Sequence, residues 1–280
     1  MKKITKNNIK KFEEYLKNEE KSTVTVEKYI HDVTVLFHWL NGRELTKSAV
    51  IEYKSELLQV YKPTSVNCIL SSLNAYFMFA NRQDCRVKML KIQRQIFAPK
   101  EKELSKSEYE RLLKAAKSKN NQRLYLLMQT ICSTGIRVSE LKFITASAIR
   151  SGVTTINCKG KLRQVFLPKT LCKTLLQYVK EQKITSGSVF VTKTGKPLDR
   201  SNIWSEMKKL CIEAGVSKDK VFPHNLRHLF ARTYYTLRKD ISRLADILGH
   251  SSVNTTRIYT METGDIHRRQ MEGLGLVCIT

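Results

Sequence analysis

The apolar residues of this chain lose their regular spacing between about residues 82 and 103, and this gap constrains the fold more than any other feature of the sequence. The segment reads RQDCRVKMLKIQRQIFAPKEKE, with basic residues throughout and a proline at position 99. Because a segment without an apolar period has no face to bury, we expect an extended basic linker here. A length of 280 residues suits two domains, at ~150 residues for each domain. The predicted division is a first domain at 1–82, a linker at 83–102 and a second domain at 103–280.

The first domain has the apolar pattern of a bundle of about four helices. Ile9, Phe12 and Leu16 recur at helical spacing after a polar start. Gly42 is placed to end a second helix, and Pro63 breaks the chain before the last one. Breaks at these intervals are typical of short helices packed in a compact bundle.

The second domain is also mainly helical, but one of its segments changes character. Ser105 and Glu108 have the spacing of a capping box, which predicts a helix beginning directly after Ser105. At 153–168 the sequence VTTINCKGKLRQVFLP places strand-forming residues on both sides of the basic tip Lys-Gly-Lys. This pattern predicts a β-hairpin. The fold class we expect is mainly α, with an N-terminal helical bundle and a mostly helical second domain that holds one small antiparallel β-sheet.

The charge of the chain indicates a polyanionic partner. Its 50 Lys and Arg exceed its 25 Asp and Glu, which gives a formal charge of +25. Both predicted domains are basic, because residues 1–102 hold 19 basic against 11 acidic side chains and residues 103–280 hold 31 against 14. Nucleic acid is the natural partner for such a surface, and an anionic membrane is the second choice. This distribution suits a protein that grips DNA from two sides.

The composition argues against several other classes of protein. No apolar run approaches the ~20 residues of a membrane span, and no apolar core of a secretory signal follows the basic N-terminus. The seven cysteines are scattered and form no Cys-x-x-Cys pair, which argues against a disulfide scaffold or a zinc site. We therefore expect reduced thiols and a cytoplasmic protein.

The segment STGIRVSEL at 133–141 is the first of three with chemical interest. Gly135 permits a tight turn, so Arg137 is expected in the first turn of a helix, with Glu140 three residues later on the same face. An ordinary helix start with an ion pair would give the same pattern.

The segment PHNLRH at 223–228 is the second. His224 and Arg227 are three residues apart, so both side chains project from one side of a predicted helix N-terminus. A histidine and an arginine placed in this way can bind an oxyanion or a phosphate. A plain surface pair is the alternative, and we expect His228 to face another direction and to pack.

The third segment, LGHSSVNTTRIY, covers 248–259. Gly249 can end the preceding amphipathic helix, and His250 follows it directly. Tyr259 lies nine residues beyond that histidine. Taken alone, such a tyrosine is more often a core residue, because a phenol with a pKa near ~10 is a poor nucleophile without assistance.

In their order along the chain, these segments resemble the tyrosine recombinase, or phage integrase, family. The matching stretches are TGIRVSEL, the Lys-Gly of the hairpin, HNLRH, and LGHSS followed by TTRIY. The resemblance covers the whole chain. It implies a core-binding, SAM-like helical domain at 1–82 and a catalytic domain at 103–280, in the arrangement of a minimal, Xer-like member that binds only core sites.

The resemblance also implies a role for each residue. Tyr259 would attack the scissile phosphate and form a 3′-phosphotyrosyl link, while Arg137 and Arg227 would bind the non-bridging oxygens. His250 would add a further donor, and His224 would be the acid/base partner of the tyrosine hydroxyl. No cofactor or metal is expected, because the sequence has no Walker loop, no dinucleotide fingerprint and no Asp/Glu cluster for paired Mg²⁺ ions.

The hairpin departs from the family pattern Gly-Lys-Gly-x-Lys-x-Arg. Here it reads Cys158-Lys-Gly-Lys-Leu-Arg163, with a loop one residue shorter. Lys159 aligns best as the acid that protonates the leaving 5′ oxygen, and Lys161 is the alternative. Glu140 matches an acidic position of the family, and we interpret it as a support for Arg137.

Other questions stay open at this point. A type IB topoisomerase uses the same set of residue types, and a non-catalytic DNA-binding regulator is a third possibility. A homotetramer of two dimers on synapsed double-stranded DNA core sites is the expected assembly, with accessory DNA-bending proteins less obligatory. The expected task is integration, excision, inversion or dimer resolution. The apolar tail at 270–280 is expected to dock on its own core or on a neighbouring subunit.

Overall fold

The computed structural model describes residues 3–92, 102–158, 161–192, 194–259 and 271–274. The chain divides into two compact units, Met1–Arg94 and Gln95–Thr280. Each unit has its own buried apolar cluster. The expected fold class is confirmed: helices dominate, and the sheet has two antiparallel strands.

The first unit consists of helices that begin where the sequence supplies caps. Thr5, Ser22 and Thr46 each accept a backbone N–H from the first turn of the helix that follows. Pro63 occupies the first turn of the last helix, where its missing N–H costs nothing. The helices are α1 (Lys6–Asn18), α2 (Thr23–Leu40), α3 (Lys47–Val60) and α4 (Pro63–Phe79).

The structure differs from the expected linker over its first residues. Cys85 and Val87 are buried in the core of the first unit. On α4, Asn74 exchanges two hydrogen bonds with the backbone of Val87, at 3.0 and 3.1 Å. Asn67, on the same face of α4, does the same for Leu90, at 3.0 and 2.8 Å. The two amides therefore hold this stretch against the bundle as a neighbouring strand would, a contact that helical periodicity cannot reveal.

The second unit begins with the capping box that the sequence predicts. Glu108 N–H donates to Ser105 Oγ at 3.1 Å, and Ser105 N–H donates to Glu108 Oε2 at 2.8 Å. Nine helices follow within the described residues. They are α5 (Lys106–Ser118), α6 (Gln122–Thr134), α7 (Ala146–Ser151), α8 (Lys169–Glu181), α9 (Arg200–Lys208), α10 (Cys211–Ala214), α11 (Pro223–Arg238), α12 (Ile241–Leu248) and α13 (Val253–Thr256).

The hairpin pairs β1 (Val153–Cys158) with β2 (Lys161–Phe166) in antiparallel register. Thr154 lies opposite Val165, and Ile156 lies opposite Arg163. Because side chains alternate across a strand, these residues share the face turned to the core. Leu162, one position along, is exposed. Arg163 therefore lies on the face of the hairpin that is turned to the core, whereas the opposite face is open to solvent.

Helices α6 and α11 pack against each other, which brings the end of α6 beside the first turns of α11. Gly135 ends α6 in the left-handed conformation, with φ +68°. A Cβ atom at this position would lie 2.4 Å from Phe230 Cδ1 and 3.1 Å from Leu248 Cδ2. Glycine is thus required here both by the backbone and by its neighbours.

Among the described helices, none is both long enough and apolar enough to span a membrane.

We predict that Gly135→Ala destabilises the second unit by about 2–4 kcal/mol, because a left-handed residue acquires a side chain and that side chain meets Phe230. Gly152→Ala is the matched control, since Gly152 also has a positive φ, +73°, but an added Cβ there would have no atom of the described residues within 4 Å. It should lose only about 1–2 kcal/mol. Urea unfolding followed by circular dichroism measures both. Equal losses would contradict the close packing of Gly135.

Candidate active site

Arg227 lies at the centre of the site, in the first turns of α11. Its side chain is 1% exposed. One Nη group donates to the carbonyl of Gly135, and the other contacts the carbonyl of Leu248 at 2.8 Å and His250 Nε2 at 2.9 Å. The guanidinium thus joins three segments that are distant in sequence. Burial, and then the charge of Arg137, lower the pKa of Arg227 to about 10, while Tyr259 raises it, so it stays cationic at neutral pH.

Glu140 binds both the backbone and the side chain of Arg137. The expected helix here is a 3-10 turn, Val138–Phe143, and Arg137 precedes it as its cap. Arg137 N–H donates to Glu140 Oε2 at 2.7 Å, and Arg137 Nη1 donates to Oε1 at 2.9 Å. The Glu140 side chain is buried, whereas that of Arg137 is 35% exposed. Among the described residues, its outer Nη2 makes only a long contact, 3.4 Å, with the carbonyl of Gly249.

His250 follows α12 and receives a hydrogen bond from Arg227. Because a guanidinium can only donate, His250 Nε2 must accept, and Nδ1 carries the proton that Thr256 Oγ1 accepts at 2.8 Å. Burial, reinforced by the charges of Arg227 and Arg137, lowers the pKa of His250 to about 4. The imidazole is therefore neutral in this structure.

Tyr259 is 4% exposed and lies on a 3-10 turn after α13. The His250 ring is nearly parallel to its ring at 5.9 Å, and the His228 ring meets it edge-on at 4.6 Å. Leu244 and Leu248 of α12 belong to the same buried cluster. The tyrosine is thus packed as a core residue while it lies beside the basic groups of the site.

The expectation that His228 faces away from the site is wrong. One helical turn after His224, its ring lies between His224, at 4.5 Å, and Tyr259. Burial is the main cause that lowers the pKa of His228 to about 4, and the charges of His224 and then Arg227 contribute to the same shift. His224 is more open to solvent, and partial burial, with Arg227 as the next cause, lowers its pKa as well. The signal in the sequence was the spacing of four residues between His224 and His228, which places both on one face of a helix.

Arg163 is the residue of the site that the sequence analysis missed. From β2, its Nη2 donates to Glu140 Oε2 at 2.6 Å, and its Nη1 donates to the carbonyl of Ile247. The signal in the sequence was its strand position, two residues before Val165, on the face that had to be buried. A charged residue on such a face needs a partner.

The lysine of the hairpin tip is not among the described residues. Lys159 lies outside them, and of Lys161 the structure describes the backbone at the start of β2 but not the side chain. Of the other predicted residues, His250 and Arg227 lie next to Tyr259, and the His228 ring separates His224 from it. Arg137 and Glu140 adjoin this group at Gly249, directly before His250. Within the described ranges, no group of three or more His, Cys, Asp or Glu side chains is placed to hold a metal ion.

We predict that the second unit loses stability as the pH falls from 6.5 towards 4. In this range the unfolded chain, with histidine pKa values near 6.5, binds protons that the folded chain does not bind at His228 and His250. Stability therefore rises with pH, by up to about 1.4 kcal/mol per pH unit for one proton. His228→Gln should flatten this slope in urea titrations at pH 5 and 7. A slope unchanged by the substitution would contradict a buried neutral His228.

Two family patterns match the chain. Residues 102–264 match the phage integrase family, and residues 9–84 match the phage integrase N-terminal SAM-like domain. Tyrosine recombinase XerA of Thermococcus kodakarensis is 30% identical over 280 residues, which cover 96% of this chain and 95% of that protein. Tyrosine recombinase XerD of Vibrio cholerae serotype O1 is 28% identical over 256 residues, 84% of this chain and 85% of the relative.

The fold is shared with solved structures. A lambda integrase dimer bound to a COC′ core site has a TM-score of 0.76 at 18% identity and covers 93% of this chain and 96% of its own. XerH recombinase bound to a difH substrate has a TM-score of 0.68 at 22% identity, over 85% of this chain and 77% of its own. With a catalytic-domain match over more than half of its length, this chain belongs to the phage integrase family of tyrosine recombinases.

Proposed function

We propose that this protein is a site-specific DNA recombinase that cuts and rejoins strands through a 3′-phosphotyrosyl intermediate at Tyr259. The observation that carries the proposal is the convergence of Arg137, Arg227 and His250 on the side of one tyrosine, although the four residues come from three separate segments of the chain. Two guanidinium groups and a histidine beside a phenol form a site for a phosphodiester. Its charge can be neutralised there without a metal.

The reaction conserves the number of phosphate ester bonds. The bond from Tyr259 Oη to phosphorus forms as the bond from phosphorus to the 5′ oxygen breaks. By its position in the family motif, His224 is assigned to accept the tyrosine proton, although the His228 ring lies between the two side chains in this structure. The hairpin lysine gives a proton to the departing 5′ oxygen. A 5′ hydroxyl of another strand can reverse the step, so rejoining needs no ATP.

The two arginines contribute in different ways. Arg227 is buried and fixed by two carbonyl groups, so it costs little reorganisation when a phosphate arrives. Arg137 is more exposed, and the contact of its outer Nη2 with the Gly249 carbonyl is long, so little is lost when a phosphate replaces it. A bound phosphate also offers Arg227 a better acceptor than a neutral imidazole. His250 Nε2 is then released, and it can take up a proton and donate to the phosphate.

The partner we infer is double-stranded DNA at a core recombination site. Both units are basic, and the solved relatives include a lambda integrase dimer bound to a core site and a lambda integrase tetramer bound to a Holliday junction. For this chain we infer a homotetramer of two dimers on synapsed DNA. We place the protein in the cytoplasm, with its substrate. Most of the tail at 270–280 lies outside the described residues, so its docking in cis or in trans stays a hypothesis.

The two competing functions have no observation in their favour. The similar proteins named above are recombinases, not topoisomerases. A regulator without catalysis would not need a nucleophile, whereas here a tyrosine is packed beside His250 and Arg227. Incubation with supercoiled plasmid that lacks a cognate site tests the first alternative, because a topoisomerase would relax it.

We predict that Tyr259→Phe abolishes covalent attachment to DNA, because phenylalanine has no oxygen to bond to phosphorus. The protein is incubated with fragmented DNA of its source replicon, and the ends that stay attached after denaturation are sequenced. Tyr234→Phe is the matched control, since this tyrosine lies on α11 beside the same apolar cluster. It should still form the adduct. Adduct formed by Tyr259→Phe would contradict the proposed nucleophile.

We predict that Lys159→Ala slows cleavage by about 10²–10⁴-fold, the usual effect of losing a general acid. A 5′-bridging phosphorothiolate should restore the rate, because a thiolate leaves without a proton. Lys161→Ala is the control for loss of one positive charge at the same hairpin. If Lys161→Ala shows the rescued defect and Lys159→Ala does not, the acid is Lys161.

A further inference from the structure

Arg163 joins the buried face of β2 to two other parts of the site. Its side chain is 14% exposed. One Nη group binds the carboxylate of Glu140, and the other binds the carbonyl of Ile247 near the end of α12. Its Nε–H has no acceptor among the described residues. All the hydrogen bonds that its guanidinium makes there therefore go to these two groups.

The backbone is shaped to admit this side chain. Gly249 has a φ of +64°, and a Cβ atom there would lie 2.4 Å from Arg163 Cδ and 2.7 Å from Nε. The residue before His250 therefore has to be glycine for Arg163 to reach Ile247. The arginine of the hairpin and the glycine before the histidine form one packing unit.

Glu140 is a single carboxylate shared by two guanidinium groups. Its Oε1 accepts from Arg137 and its Oε2 accepts from Arg163. If Arg137 were its only partner, the pair would be neutral, and the phosphate would have to compete with Glu140 for the charge of Arg137. With Arg163 present, two positive charges face one negative charge, and the group keeps a net positive charge.

We propose that Arg163 is a positioning residue that neutralises Glu140, so that Arg137 keeps its charge for the scissile phosphate, and that anchors β2 to the end of α12. This inference rests on the proposed function, in which Arg137 binds the phosphate. Arg163 itself contacts Glu140 and Ile247, and its effect on the reaction passes through Arg137.

The first experiment compares two DNA substrates that differ in charge. The substrates are duplexes carrying the sequence recovered with wild-type protein, with either a normal scissile phosphate or a methylphosphonate, which has no negative charge on its non-bridging groups. On the phosphate, we expect R163Q to cleave at least tenfold more slowly than wild type, with R163K between the two. On the methylphosphonate, the deficit of R163Q should shrink several-fold, because less positive charge is required.

The second experiment removes the charge that Arg163 is proposed to balance. In the double variant E140Q/R163Q, Arg137 again carries an uncompensated positive charge. We expect the double variant to cleave the phosphate duplex several-fold faster than R163Q alone. A merely structural role for Arg163 predicts the opposite, since the double variant loses more of the hydrogen-bonded cluster.

Two controls separate charge from folding. R150Q removes one positive charge from an exposed position on α7, and any loss should be the same on both substrates. Circular dichroism and thermal unfolding identify variants that fail to fold, and in that event R163K carries the comparison. Wild-type rates for R163Q, an equal deficit on both substrates, or a double variant slower than R163Q would each overturn the proposal.

R137A separates this proposal from the proposed function. If the cleavage deficit of R137A relative to wild type is also smaller on the methylphosphonate, Arg137 serves the phosphate as proposed. The result for R163Q then tests the role of Arg163 alone. If wild type cleaves no DNA, the proposed function fails, and inorganic sulfate becomes the probe. Its affinity, followed at the Arg137 Nε–H resonance, should be several-fold weaker in R163Q than in wild type. Equal affinity would overturn the role of Arg163 as well.

Discussion

The second unit depends on one buried cation, the guanidinium of Arg227. An arginine removed from water needs acceptors on all sides, because the cost of an unpaired buried charge exceeds that of most other defects in a protein. The carbonyl groups of Gly135 and Leu248 supply them. The ends of α6 and α12 must therefore meet at the first turns of α11. The interaction that fixes these three segments also leaves a positive charge beside Tyr259.

A second charged group extends this arrangement to the hairpin. The Glu140 carboxylate takes hydrogen bonds from Arg137 and Arg163, and Arg163 reaches the chain just before Gly249. A buried network of charged groups favours one arrangement, because a buried charge that loses its partner is costly. The two networks meet at the turn after α12, where His250 binds Arg227. Without these hydrogen bonds, the turn after α12 could hold His250 in several positions.

Much of the fold could be predicted because it is encoded locally. The helices at Ser105 and Pro63 begin where the sequence predicts them, and the hairpin lies where strand formers flank a basic tip. The attachment of residues 83–90 to the first unit was not predictable in this way. It depends on two asparagine side chains of α4 that bind backbone far away in the sequence. A charge-rich stretch gives no periodic signal for such a contact.

The sequence by itself determined which residue types stand in which order, and through them the family, the nucleophile candidate and the arginines. Only the tertiary structure decided how these residues are supported. It placed His228 against Tyr259 and turned His250 into an acceptor. It also gave Glu140 a second arginine. The physical reason is that each motif consists of nearby residues within one segment and can be recognised there. Hydrogen bonds and burial, in contrast, depend on segments that meet only after folding.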